Sequence, residues 1–245
     1  VTMGFLELAA AVKFISNVDM VYQWELLTRP VFITIWMAIV VALVVYLLGG
    51  ISFLHDRQRQ RIGMFRWGGT GCCLILLIYL FKGISGGSLG ELNAFLPPRD
   101  YGSDERILDF AEVDPSLGTR ESKVWFTDYP EALTEADKTE KSIFVDFTGY
   151  TCTNCRWMEV NVFVDKDVQE LFKNFILIKL FTDGGPNHKE YQQMEIDRYG
   201  TSALPFYVVL DTNEKELNRF HGMDPDINKF IQFLKLSLEK FDIKI

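Results

Sequence analysis

Basic charge is scarce in this chain: 25 Lys and Arg stand against 33 Asp and Glu over 245 residues, a net of −8. Nucleic-acid binding needs clustered basic side chains that neutralise phosphates, so that class of partner is excluded. Histidine and cysteine are scarcer still, at three and four residues. A structural zinc takes four ligands. Beyond Cys152 and Cys155, the C-terminal half offers only His188 and His221, neither at ligand spacing, and no metal site is expected. No internal repeat occurs. The opening residues lack the basic start and small-residue cleavage site of a secretory signal. Because the first residue is Val1, we expect the sequence to begin inside a longer protein.

What charge there is falls unevenly. Residues 1–100 hold 8 basic and 6 acidic side chains, a net of +2, whereas residues 101–245 hold 17 and 27, a net of −10. The first part is apolar. Val31 to Leu54 has no charged residue over 24 positions, enough helix to cross a hydrocarbon layer of ~30 Å. A second span is expected over 67–84, where Lys82 can snorkel and Gly68, Gly69 and Gly71 permit close helix packing. Arg57, Arg59, Arg61 and Arg66 lie between the two, which places that loop in the cytoplasm by the positive-inside rule and everything after it on the other side. Residues 1–18, with Glu7 and Lys13, read as the tail of an earlier membrane helix or as an interfacial helix. Residues 1–84 thus form a helical transmembrane region.

Residues 85–123 read as a linker with one short helical turn, rich in Gly and carrying Pro97-Pro98 and Asp114-Pro115. If flexible, its ~40 residues span roughly 35 Å r.m.s.. From Val124 to the C-terminus the pattern is α/β. Strands are expected at Val124–Thr127, Ile143–Thr148, Phe175–Phe181, Phe206–Leu210 and Glu216–His221. Helices are expected at Asp128–Lys141 with Asp128 as N-cap, Thr153–Val162, Lys166–Phe172, His188–Tyr199 and Asp224–Phe241.

The chemistry concentrates in Val145-Asp146-Phe147-Thr148-Gly149-Tyr150-Thr151-Cys152-Thr153-Asn154-Cys155-Arg156-Trp157-Met158-Glu159. A buried strand breaks at Gly149 and a C-x-x-C opens a helix. A cysteine at a helix N-terminus meets unpaired N–H groups and the positive end of the dipole, which favour a thiolate. Two sulfurs one turn apart can close and reopen a disulfide. Cys152 is the expected nucleophile and Cys155 the resolving thiol. The bland alternative is a structural disulfide or two inert thiols. Cys72 and Cys73 are adjacent in an apolar helix, point in different directions, and read as small packing residues.

This order of elements resembles a thioredoxin fold, a central mixed sheet flanked by helices. Asp146 lies six residues before Cys152, where thioredoxins keep a buried acid, and Lys179 lies on the following strand like the lysine that neighbours it. Ala203-Leu204-Pro205-Phe206 is similar to the segment holding the cis-proline that binds extended substrates. The segment from Asp146 to Glu159 more closely resembles the C-terminal domain of DsbD-type thiol:disulfide interchange proteins, and Gly4 to Asp19 is similar to their late membrane portion. The resemblance implies a membrane-bound protein-disulfide reductase of the bacterial inner membrane with its C-terminal domain in the periplasm. Its only redox group would be the Cys152–Cys155 disulfide. An upstream membrane domain would supply electrons from cytoplasmic thioredoxin, and disulfide isomerases or cytochrome c maturation proteins would receive them. Cys72 and Cys73 do not match the membrane cysteine pair of that family, which sits in earlier helices.

Carboxylates near a thiol disfavour the thiolate. Asp146 and Glu159 are therefore expected to tune the pair towards a reductant and to move protons, with Lys179 beside them. The alternatives are a solvated Glu159 and an Asp146 that is a core acid paired with Lys179. Pro205 is expected to contact substrate through backbone pairing, with Leu204 and Tyr150 beside it. A different class of function stays open: a thioredoxin-fold binding, chaperone or copper-handling module without turnover.

Overall fold

A computed structural model describes residues 1–51, 63–87, 89–98, 101 and 125–242. Arg57, Arg59 and Arg61, the end of the first expected span at 52–54, most of the linker after residue 98, and Val124 lie outside the described residues. Contacts divide the chain into a helical unit and an α/β unit.

The helical unit holds α1 (Thr2–Tyr22) as far as Asp19, α2 (Arg29–Leu47) and α3 (Met64–Ile84). Two of these, α2 and α3, are long and apolar enough to cross a membrane. At ~1.5 Å per residue, the 19 residues of α2 extend about 28 Å. The sequence places its start at Val31 and its end at Leu54. The helix instead opens at Arg29, with Pro30 in the first turn where its missing N–H costs nothing. It stops at Leu47, because the chain turns through Gly49 at φ +80°. A short 3-10 helix, Gly90–Phe95, follows. Leu89 and Leu96 at its two ends join Phe32, Ile33 and Leu80 in a buried cluster, so this part of the expected linker packs on the helices. Buried Asp19 closes the turn after α1, accepting from the Leu26 and Leu27 N–H groups at 3.1 and 3.0 Å and from the Tyr101 hydroxyl at 3.0 Å.

The α/β unit runs α4 (Tyr129–Thr139), β1 (Ser142–Thr148), α5 (Thr153–Asn161), α6 (Lys166–Phe172), β2 (Phe175–Phe181), α7 (His188–Tyr199), β3 (Phe206–Leu210), β4 (Glu216–His221) and α8 (Ile227–Asp242). The sheet order is β2-β1-β3-β4, parallel between β1 and β2 and antiparallel elsewhere. The strand expected at 124–127 is a single bridge, Phe126 to Ile178. Every residue of β1 is buried, as a central strand covered on both faces must be.

Side chains alternate across a strand, and here the alternation separates two cores. Ile143, Val145 and Phe147 pack with Ile176, Ile178, Phe206 and Val208 under α4 and α7. Phe144 packs on the opposite face with Leu177, Tyr207, Val209 and the apolar sides of α5, α6 and α8. Asp146 and Lys179 share that second parity, so both point into the layer beneath α5.

Candidate active site at the start of helix α5

Strand β1 delivers the site. After Thr148 the chain turns at Gly149, and Cys152 becomes the N-cap of α5, its Sγ accepting from the Cys155 N–H at 3.1 Å. Cys152 and Cys155 form a disulfide with S–S 2.03 Å. Cys152 is half-buried, whereas Cys155 is 1% exposed. An incoming group therefore reaches Cys152 first.

Helical spacing places Cys155, Met158 and Glu159 on the face turned to the sheet, and all three are buried. Glu159 is 2% exposed, which overturns its reading as a solvated helix residue. Arg156 Nη1 lies 2.8 Å from its Oε2 and Lys179 Nζ lies 2.5 Å from its Oε1. Arg156 Nη2 also donates to Thr148 Oγ1 at 3.2 Å, and the Lys179 ammonium sits 4.9 Å from the Trp125 ring centroid. A buried cation over an aromatic face is attracted by the ring quadrupole, which offsets part of its lost hydration. Two cations thus hold Glu159.

Asp146 stands beside this group, in strand register with Lys179 on one side and Tyr207 on the other. Its Oδ1 and the Tyr207 hydroxyl are buried without a hydrogen-bond partner. Burial pushes the Asp146 carboxyl up to about 7; the Lys179 charge pulls it back, Glu159 pushes it further up, and Arg156 lowers it. Burial also lowers Lys179, against the pull of Glu159, and raises the Tyr207 phenol.

Three loops meet at this end of the sheet. Phe206 pairs with both Phe147 and His221, so the start of β3 and the end of β4 lie level with the end of β1. The Leu204–Pro205 peptide bond is cis. Pro205 is buried and its carbonyl accepts from the Gly222 N–H at 2.9 Å. Tyr150 stacks on Phe181 with centroids 4.0 Å apart and planes 9° apart. The structure thus groups Asp146, Glu159 and Lys179 beneath α5, whose start carries Cys152 and Cys155, and sets Tyr150, Leu204 and Pro205 on loops at the same sheet end. His221 is exposed, and no cluster of metal-ligating side chains occurs among the described residues. Cys72 and Cys73 remain free thiols on α3.

Two site residues escape the sequence reading. Arg156 has a signal in hindsight, its three-residue spacing from Glu159 on one helix. Asp183, in the loop after β2, accepts from the Tyr150 and Thr151 N–H groups and from the Thr151 hydroxyl. Its partners lie over thirty positions upstream and only the sheet register brings them near.

Residues 124–212 match the thioredoxin-like family. No curated protein matches the chain. Among solved structures, a thioredoxin from Thermus thermophilus is 24% identical with TM-score 0.42, over 49% of this chain and 90% of its own. The DsbD C-terminal domain of Neisseria meningitidis in the oxidised form is 18% identical with TM-score 0.39, over 46% and 98%. A DsbH oxidoreductase is 21% identical with TM-score 0.36, over 46% and 84%. The α/β unit, with its mixed sheet between helices and a C-x-x-C disulfide at the start of α5, is a thioredoxin-like domain.

Proposed function

We propose that this chain is a membrane-held protein-disulfide reductase of the DsbD type. The observation that carries the reading is the asymmetric pair at the start of α5, a half-buried Cys152 bonded to a buried Cys155 above a layer of buried charges. In the reduced state the Cys152 thiolate attacks one sulfur of a partner disulfide. A Cys152–partner bond forms and the partner's other sulfur leaves as a thiolate. Cys155, as a thiolate, then attacks Cys152 Sγ, which closes the intramolecular disulfide and releases the second partner sulfur. Two electrons pass to the partner. Asp146, raised to about 7, takes the Cys155 proton. The pair is proposed to be reducing, with a potential well below the ~−120 mV of DsbA.

The arginines between the two apolar helices support a cytoplasmic loop, with the thioredoxin-like domain in the periplasm of a bacterium. Electrons would come from cytoplasmic thioredoxin through an upstream membrane domain of the same protein. Disulfide isomerases and cytochrome c maturation proteins are the expected acceptors. Pro205, Leu204 and Tyr150 line the path of the partner's extended segment.

Reduction of insulin disulfides by the full chain in detergent, with dithiothreitol as electron source, tests the reading. Cys152→Ala should abolish turnover, and Cys155→Ala should accumulate a mixed disulfide at Cys152. Full activity without Cys152 overturns the assignment.

A further inference from the structure

We infer that Asp183 is a positioning residue for the attacking thiol, a carboxylate from β2's trailing loop that sets the turn carrying Cys152. The inference rests on the reading of Cys152 as nucleophile. Thr148 and Phe181 are register partners at the ends of β1 and β2, and the Thr182 N–H extends the ladder to the Thr148 carbonyl at 3.0 Å. The next residue, Asp183, is thereby delivered to the turn at 149–151. Its Oδ1 accepts from the Tyr150 N–H at 2.8 Å, and its Oδ2 accepts from the Thr151 N–H at 2.9 Å and the Thr151 hydroxyl at 2.7 Å. A Cβ at Gly149 would lie 2.7 Å from Oδ2, so the approach requires glycine there. The Tyr150 ring stacked on Phe181 ties the same two segments a second time.

The residue immediately before Cys152 is therefore held by another strand's loop. The turn that follows closes with the Cys152 N–H on the Gly149 carbonyl at 3.2 Å and leaves Cys152 Sγ on the Cys155 N–H. That N–H, at the positive end of α5, is what favours a thiolate. Charge and geometry now oppose one another. A carboxylate beside a thiol raises the thiol's pKa, whereas the clamp lowers it by keeping the sulfur at the helix start. Removing Asp183 speeds Cys152 if its charge dominates and slows it if its positioning dominates. Three hydrogen bonds on one carboxylate favour positioning.

The test is site-resolved alkylation of the reduced full chain in detergent with iodoacetamide, across pH, scoring the Cys152 and Cys155 peptides separately by mass spectrometry. For D183A the Cys152 rate at neutral pH should fall roughly tenfold and its pH midpoint should rise. D183N, which keeps an acceptor oxygen without the charge, should recover most of that loss. Thr151→Val removes one donor at nearly constant shape and should slow Cys152 about twofold to threefold. This milder variant decides the matter if D183A does not fold. Unchanged or faster alkylation in Thr151→Val, and in D183A where it folds, overturns the clamp and leaves the nucleophile assignment standing. Wild-type protein that labels at Cys155 before Cys152 overturns both.

Discussion

Asp146 is a residue whose protonation the fold controls. An unfolded aspartate titrates near ~3.9, and burial raises it here to about 7. The folded state therefore binds this proton more strongly than the unfolded state does. Stability from the protonated form is fully present below about pH 4 and is lost as pH rises towards about 7. Glu195, buried on α7 with both carboxylate oxygens unpartnered, is likewise raised to about 7 by burial and acts with the same sign. Urea unfolding of the oxidised protein from pH 4 to 8 should show this as a difference between variants. Asp146→Asn should flatten the decline by at most ~4 kcal/mol, and Glu195→Gln by less. Parallel curves for wild type and Asp146→Asn would show that Asp146 is ionised throughout. Asp146 and Lys179 are legible in the sequence through its resemblance to thioredoxins. That Glu159 takes the two cations while an Asp146 oxygen stays unpartnered is not, because it depends on where α5 lies over the sheet.

Elements follow from local rules almost everywhere in the α/β unit. The bounds expected for β2, α6, α7, β3 and β4 coincide with the observed ones, since hydrophobic period and turn residues agree there. Asp128 caps α4 by accepting from the Glu131 N–H at 3.0 Å, and Asp165 caps α6 by accepting from the Asp167 N–H at 2.9 Å. Gly200 ends α7 at φ +70°, its N–H on the Ile196 carbonyl. The departures also have local causes. Helix α8 begins at Ile227 and not at Asp224, because Asp224 and Asp226 each accept from the N–H two residues on and form turns. Caps and core differ in weight. Asp128→Ala should cost about 1 kcal/mol, and Phe230→Ala, which empties a fully buried position among Phe144, Phe163 and Tyr207, should cost about 3–5 kcal/mol. Urea denaturation that ranks them the other way would show that the layer beneath α5 and α8 tolerates a void.

At the scale of the molecule, an apolar helical unit precedes an acidic α/β unit. Exposed apolar residues cover the helices, among them Phe65, Ile75 and Ile78 on α3. Such a surface suits lipid better than water. The full chain should stay in the membrane fraction after alkaline carbonate washing. In spheroplasts, added protease should digest the thioredoxin-like domain if the proposed orientation holds. Recovery in the carbonate supernatant would refute membrane insertion, and protection in spheroplasts would refute the orientation.

Composition and spacing alone determine the apolar and acidic halves and the strand–turn–helix around the C-x-x-C. These are local signals, set by helical and strand periods and by turn chemistry. Tertiary structure alone decides which carboxylate the cations hold and that Asp183 reaches the turn before Cys152. Each depends on the register between strands far apart in the chain, which no local period encodes.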